Sequence, residues 1–110
     1  MNTEEQEARL TLWANEVAEE FDGMDRPELA AVLRALARRD AEAVREAVGF
    51  FPPTMLEALR EMVELEQRDR QEAGEERSVE ILDWLVRLVS EVQSEHQTID
   101  LEPGAGGQVQ

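Results

Sequence analysis

The chain has no cysteine, no lysine and no tyrosine among its 110 residues. Without cysteine it cannot form a disulfide, use a thiolate nucleophile or hold zinc through sulfur. Its positive charge comes from 11 arginines, set against 26 acidic residues, which gives a formal net charge of −15. A protein this acidic repels DNA, RNA and anionic membranes, and it attracts basic partners.

Long apolar runs are also missing. No run approaches the ~20 residues of a membrane-spanning helix, and the first residues, MNTEEQEARL, are acidic where a signal peptide would be basic. We therefore expect a cytoplasmic protein that does not contact a membrane. The composition, 42% hydrophobic and 34% charged, predicts one acidic helical domain over residues 1–99. The segment 100–110, DLEPGAGGQVQ, is predicted to be a disordered tail.

Capping signals and apolar stripes predict five helices. A capping box pairs an N-cap Ser, Thr or Asp with a Glu or Gln three residues later. Such pairs occur at Thr3 with Gln6, Asp25 with Glu28, and Thr54 with Glu57, and single N-caps are predicted at Asp40 and Ser78. No stretch has the alternation of a β-strand. The fold is therefore predicted to be all-α, a small bundle of about five helices.

The predicted core follows from the three-and-four spacing of apolar residues. Both phenylalanines of the FFPP turn, Phe50 and Phe51, are expected in the core because they are too apolar to leave in water. The stretch EQRDRQEAGEER is nearly all polar or charged and is predicted to be a solvated extension ending near Gly74. The core is predicted to include Trp13, Phe21, Phe50, Leu59, Leu85 and Val89.

The last helix has an unusually wide apolar surface. Ile81, Leu82, Leu85, Leu88, Val89 and Val92 form one face, which is widened by Val79, Trp84 and Val86. A helix so nearly surrounded by apolar side chains is either central in its bundle or shared with a second copy of the chain. We predict a homodimer formed through this helix.

Two carboxylate pairs suggest one possible chemistry. Glu61 and Glu64 share a helical face, and so do Glu80 and Asp83, and carboxylate oxygens suit magnesium. With EILDWLVRLV, this pattern resembles the MazG-like all-α nucleotide pyrophosphohydrolases, which carry E-E-x-x-E on one helix and E-x-x-D on the next. The resemblance implies that these four acids hold the magnesium that activates water on a nucleoside triphosphate.

The same segments depart from that pattern in ways that favour solvated helix faces. Arg60 stands where the first glutamate of the motif belongs, and no lysine is present to meet a phosphate. Asp83 and Arg87 have the i,i+4 spacing of an ordinary ion pair. We therefore predict that the protein is not an enzyme and uses no metal or cofactor. The magnesium-dependent pyrophosphohydrolase is kept as the alternative.

Rows of carboxylates on two helices predict a different function. Such rows can imitate a phosphate backbone or bind an arginine-rich protein, as small acidic phage-encoded inhibitors and some antitoxins do. The simpler alternative is that they only keep the bundle in solution, for which a net charge of about 2–8 suffices in a small domain. We predict a protein that binds a basic partner protein, and no nucleic acid directly. The predicted partner-binding residues are Glu16, Glu19, Glu20, Glu57, Glu61 and Glu64.

Overall fold

The computed structural model describes the backbone of residues 2–108 and the side chains of residues 2–96. Over these residues it contains five helices and no strand, so the predicted all-α bundle is confirmed. The helices are α1 (Thr3–Gly23), α2 (Pro27–Ala37), α3 (Ala41–Gly49), α4 (Pro53–Glu72) and α5 (Glu76–Gln108). The predicted disordered tail, residues 100–110, lies outside the residues whose side chains are described.

The helices are arranged as two hairpins joined by a short helix. α1 packs chiefly on α2, and α4 packs chiefly on α5. α3 links the hairpins because it contacts both α2 and α5, and α1 also contacts α5. Within the described residues, no helix is both long enough and apolar enough to cross a membrane.

Two contiguous clusters make up the core. The smaller one joins α1 to α2 through Ala14, Ala18, Ala30 and Leu33. The larger one draws on all five helices and includes Leu59, Leu85 and Val89, as predicted. Trp13 and Phe21, also predicted as core, are half-buried and pack against both clusters.

The prediction that both phenylalanines of the FFPP turn are buried is wrong for Phe50. Phe51 is buried, with 4% of its surface exposed, whereas Phe50 is 88% exposed. Both backbone N–H groups still donate three residues back, to Ala47 and Val48, so the turn continues the helical rotation of α3. Successive residues on such a turn point about 100° apart. The two rings therefore point in different directions, and only Phe51 faces the core.

Only one of the four side-chain N-caps predicted for α1 to α4 is confirmed. Asp40 accepts the N–H of Ala43 at 3.2 Å and caps α3. At α1 the capping box lies one residue earlier than predicted, because Asn2 accepts the N–H of Glu5 at 2.8 Å and Glu5 accepts that of Asn2 at 3.2 Å. α4 starts at a proline, after Pro52, without a side-chain cap, so the predicted box at the start of α4 is wrong.

Three helices end in a left-handed residue that reverses the chain. These residues are Asp25 (φ 62°), Arg39 (φ 57°) and Gly74 (φ 79°). In each case the next residue's N–H reaches back five residues, as in a Schellman ending. Asp25 therefore closes α1 and does not cap α2. The N-cap position of α2 is taken by Arg26, which makes no side-chain capping bond.

Candidate functional site

The six predicted partner-binding carboxylates lie on the outer faces of two helices. Glu16, Glu19 and Glu20 are exposed on α1 and form what we call the α1 ridge. On α4, Glu57 and Glu61 are exposed and Glu64 is half-buried, and these three form the α4 ridge. Spacings of three and four residues place the members of each ridge on one helix face. The two ridges belong to different hairpins.

Six of the eleven arginines form salt bridges, and their partners are acids outside the ridges. In the part of the chain whose side chains are described, no ridge carboxylate forms a salt bridge. The acids that do form one are Glu7, Asp22, Asp40, Glu66, Glu75, Glu80 and Asp83. The ridge carboxylates are therefore not neutralised by a direct ion pair, although Arg34 acts on Glu19 at longer range and Arg68 lines one depression with Glu61 and Glu64.

The four acids of the pyrophosphohydrolase pattern lie in different local surroundings. Glu80 accepts from Arg77 at 3.0 Å, and Asp83 pairs with Arg87 at 2.8 Å. Glu61 and Glu64 line a shallow surface depression together with Arg68. Among the residues with described side chains, no three carboxylate or imidazole groups come together as a metal site. The geometry therefore adds no observation in favour of this alternative.

The wide apolar surface of α5 is largely covered within the chain itself. Its central residues Ile81, Leu82, Leu85, Leu88 and Val89 are buried, because α5 packs against α4, α1 and α3. The residues that widen this surface, Val79, Trp84 and Val86, are half-buried, as is Val92. A central position in the bundle therefore accounts for the pattern that motivated a dimer through α5. That dimer stays a prediction.

The structure contains a buried polar junction that was not predicted from the sequence. The prediction of a solvated extension is wrong at Arg70 and Glu75, which are 8% and 2% exposed where α4 turns into α5. Arg70 donates to Glu75 at 2.9 Å and to Glu66 at 2.6 Å. Exposed Arg9 of α1 adds a second cation 3.4 Å from the Glu75 carboxylate.

A side chain of α1 completes this junction by capping α5. The side-chain oxygen of buried Gln6 accepts the N–H of Arg77 at 2.7 Å and that of Ser78 at 3.4 Å. Ser78 is thus the third residue of α5 and not its N-cap, and its hydroxyl lies 3.2 Å from Glu75. The signal in the sequence is that Gln6 stands four residues before Leu10, so a polar residue lies on the buried stripe of α1. We name Gln6, Glu66, Arg70, Glu75 and Ser78 the polar junction.

The electrostatics of the polar junction suit a structural role. Burial alone would raise the pKa of Glu75, but the hydrogen bond and charge of Arg70, helped by Arg9 and Ser78, hold that pKa below its usual range. Burial likewise opposes the charge of Arg70, yet its bonds to Glu66 and Glu75 raise its pKa overall. Both groups therefore stay ionised. A general base needs a pKa near the working pH. Lowering the pKa of a carboxyl group moves it further from neutral pH.

A cleft of about 260 Å³ lies between the α2–α3 turn and α5. Its lining includes Val44, Ile81 and Trp84, together with Arg39 and Arg77. Arg39 donates to three backbone carbonyl groups, of Glu7, Leu36 and Ala37, and Arg77 donates to the carboxylates of Glu7 and Glu80. Both guanidinium groups are thus already engaged in holding α1, α2 and α5 together.

The chain matches no protein-family model, no curated protein and no solved structure.

Proposed function

We propose that this chain is a non-enzymatic acidic helical protein that binds a basic partner protein through the α1 and α4 ridges. The observation that carries the proposal is the lack of salt bridges at all six ridge carboxylates within the described side chains. The arginines that form salt bridges pair with seven other acids. Charges that the protein does not neutralise itself are those that a cationic partner can use.

The kind of partner follows from the chemistry of the ridges. Neighbouring carboxylates in each ridge stand about 5–6 Å apart at their Cβ atoms, so each ridge offers a row of negative charges. Such a row suits an arginine-rich or lysine-rich surface that normally contacts nucleic-acid phosphates. The proposal thus includes an inhibitor or nucleic-acid mimic acting in the cytoplasm. The net charge of −15 would steer such a partner towards the protein and speed association.

The proposal is tested by reversing the ridges and measuring binding in two salt concentrations. The variant carries arginine at Glu16, Glu20, Glu61 and Glu64, and the control carries arginine at four other exposed acids, Asp69, Glu72, Glu91 and Glu95. Both variants change the net charge equally. Basic proteins captured from a lysate of the native host are identified, and their association and dissociation rates are then measured with purified partner.

We expect the ridge variant to lose the partner and the control variant to retain most of the binding. High salt should weaken binding to the unaltered protein, because exposed charges are screened beyond ~8 Å at physiological ionic strength. The loss should lie mainly in the association rate. Equal binding by all three proteins, or binding that salt leaves unchanged, would show that the ridges serve only solvation.

A separate assay addresses the pyrophosphohydrolase alternative. We expect no magnesium-dependent release of pyrophosphate from any nucleoside triphosphate, because Glu80 and Asp83 are each paired with an arginine. Release that requires magnesium and is abolished by Glu80→Gln would replace the proposal with the enzymatic function.

A further inference from the structure

The most exposed large apolar side chain of the described residues stands beside a groove. Phe50 is 88% exposed, whereas Leu12, Met24 and Leu65 are each 59% exposed. The groove has a volume of about 350 Å³. Its lining is apolar except for one carboxylate. We call it the Phe50 groove, and it is formed by Glu28, Ala31, Ala47, Phe50, Phe51, Pro52 and Met55.

The Phe50 groove lies in the one part of the chain that is nearly neutral. Residues 26–60, which contain all of its lining, carry six arginines and five acids. Residues 1–25 carry one arginine and eight acids, and residues 61–110 carry four arginines and thirteen acids. Two copies of this acidic chain would repel each other least if they met at this face. None of the six ridge carboxylates lines the groove, and Glu57 of the α4 ridge lies two residues beyond Met55.

An exposed ring and a groove stand side by side at this face. A two-fold axis places the same patch of each copy against the other, so each Phe50 ring can enter the groove of its partner. The small side chains of Ala31 and Ala47 leave room there. We infer that the Phe50 groove is the interface of a homodimer, with a second copy of the chain as its occupant. This inference does not rest on the proposed function, because no ridge carboxylate lines the groove.

Sedimentation equilibrium of the full chain over a wide concentration range tests this inference. The unaltered protein should shift from 12.5 kDa to twice that mass as its concentration rises. Phe50→Ser should weaken the dimer by at least about 100-fold, because a two-fold interface loses the ring twice and central aromatic anchors dominate binding. Leu65→Ser, which also removes an exposed apolar side chain, should leave the dimer unchanged. Circular dichroism should show all the proteins equally helical.

Salt and a second variant sharpen the test. Added salt should strengthen the dimer, since it screens the repulsion between two highly acidic chains. Ala31→Arg, at an exposed helical position, should weaken the dimer by placing a charge in the groove. A mass of 12.5 kDa at every concentration would overturn the inference. A dimer that survives Phe50→Ser, or one that salt dissociates, would overturn it equally and would direct attention to the outer side of α5.

Discussion

The ion pair between Arg70 and Glu75 is the part of the polar junction where a substitution should cost most. Arg70→Met removes the guanidinium group but keeps a long apolar side chain, so most of the loss comes from the missing charge and its hydrogen bonds. Glu75 is only 2% exposed in the unaltered protein. The only cation still paired with it would be Arg9, at 3.4 Å, whose own side chain is 58% exposed.

We expect Arg70→Met to lower the free energy of unfolding by about 3 kcal/mol. Breaking a buried pair by removing one partner costs about 3–5 kcal/mol, and the solvated Arg9 places this case at the lower end. Such a loss is a large part of the ~5–15 kcal/mol that stabilises a domain. Urea unfolding followed by circular dichroism measures the free energy, and an unchanged m-value shows that the states compared are the same.

Arg68→Met is the matched control. Arg68 lies on the same helix, is exposed, and forms no salt bridge among the described side chains. Its substitution should change the free energy of unfolding by less than about 0.5 kcal/mol, as is usual for such surface sites. If Arg70→Met costs no more than Arg68→Met, the pair contributes no more than a surface charge and the reasoning is refuted.

The lowered pKa of Glu75 adds a pH dependence to the same test. Its folded-state pKa lies below the ordinary 4.5, so its stabilising contribution is fully present above pH 4.5 and is lost as the pH falls through the folded pKa. Glu75→Gln keeps the shape but removes the charge. The stability gap between the unaltered protein and Glu75→Gln should therefore be widest at neutral pH and narrow in acid. A gap that stays constant into acid would contradict the lowered pKa.

Three further outcomes are expected from urea unfolding. Leu85→Ala should cost about 2–5 kcal/mol, because Leu85 is fully buried; a cost below about 0.5 kcal/mol would contradict its place in the core. Asp40→Ala should cost about 1 kcal/mol by removing an N-cap, whereas Asp25→Gly should be neutral or stabilising because Asp25 holds a φ of 62°; equal costs would refute this distinction. Phe51→Ser should destabilise the fold far more than Phe50→Ser, and the reverse order would mean that the two rings are wrongly assigned.

The helices and their buried faces could be predicted because they depend on local periodicity. Leu85 and Val89 stand four apart on α5, and both are fully buried. The start of α1 depended on more than local pattern, since Asn2 and Thr3 are both good N-caps with an acid or amide three residues later. The side chain of Gln6 accepts a hydrogen bond from the N-terminus of α5. The capping box of α1 therefore forms at Asn2 and not at Thr3. A tertiary contact therefore decided between two locally acceptable caps.

The polar junction could not be predicted from composition. Arg70 and Glu75 belong to a run of polar residues that looks solvated in the sequence. They meet because the chain reverses at left-handed Gly74, whose φ is 79°, and because α1 then covers them. Both conditions depend on the packing of helices distant in sequence, as does the hydrogen bond of Arg77 to Glu7 across 70 positions.

Helical spacing was enough to predict that the ridge carboxylates face outwards. Whether they form salt bridges depended on which acids the arginines contact in the folded chain. Arg70 and Arg77 each bind two carboxylates near the start of α5. Because the chain has only 11 arginines for 26 acids, salt bridges concentrated near the start of α5 leave acids on other surfaces without an arginine partner. The scarcity of positive charge and its use inside the fold together produce the ridges.

The two proposed surfaces should respond to salt in opposite directions. Ridge binding is electrostatic and weakens as charges are screened, whereas the Phe50 groove is apolar and gains when repulsion between the copies is screened. A dimer formed through the groove would present two sets of ridges, and linked sites raise the apparent affinity for a partner with repeated basic surfaces. Moderate salt would then weaken the binding of the dimer to its partner less than it weakens binding through a single ridge. The near-neutral face would thus offset part of the salt sensitivity that the acidic faces create.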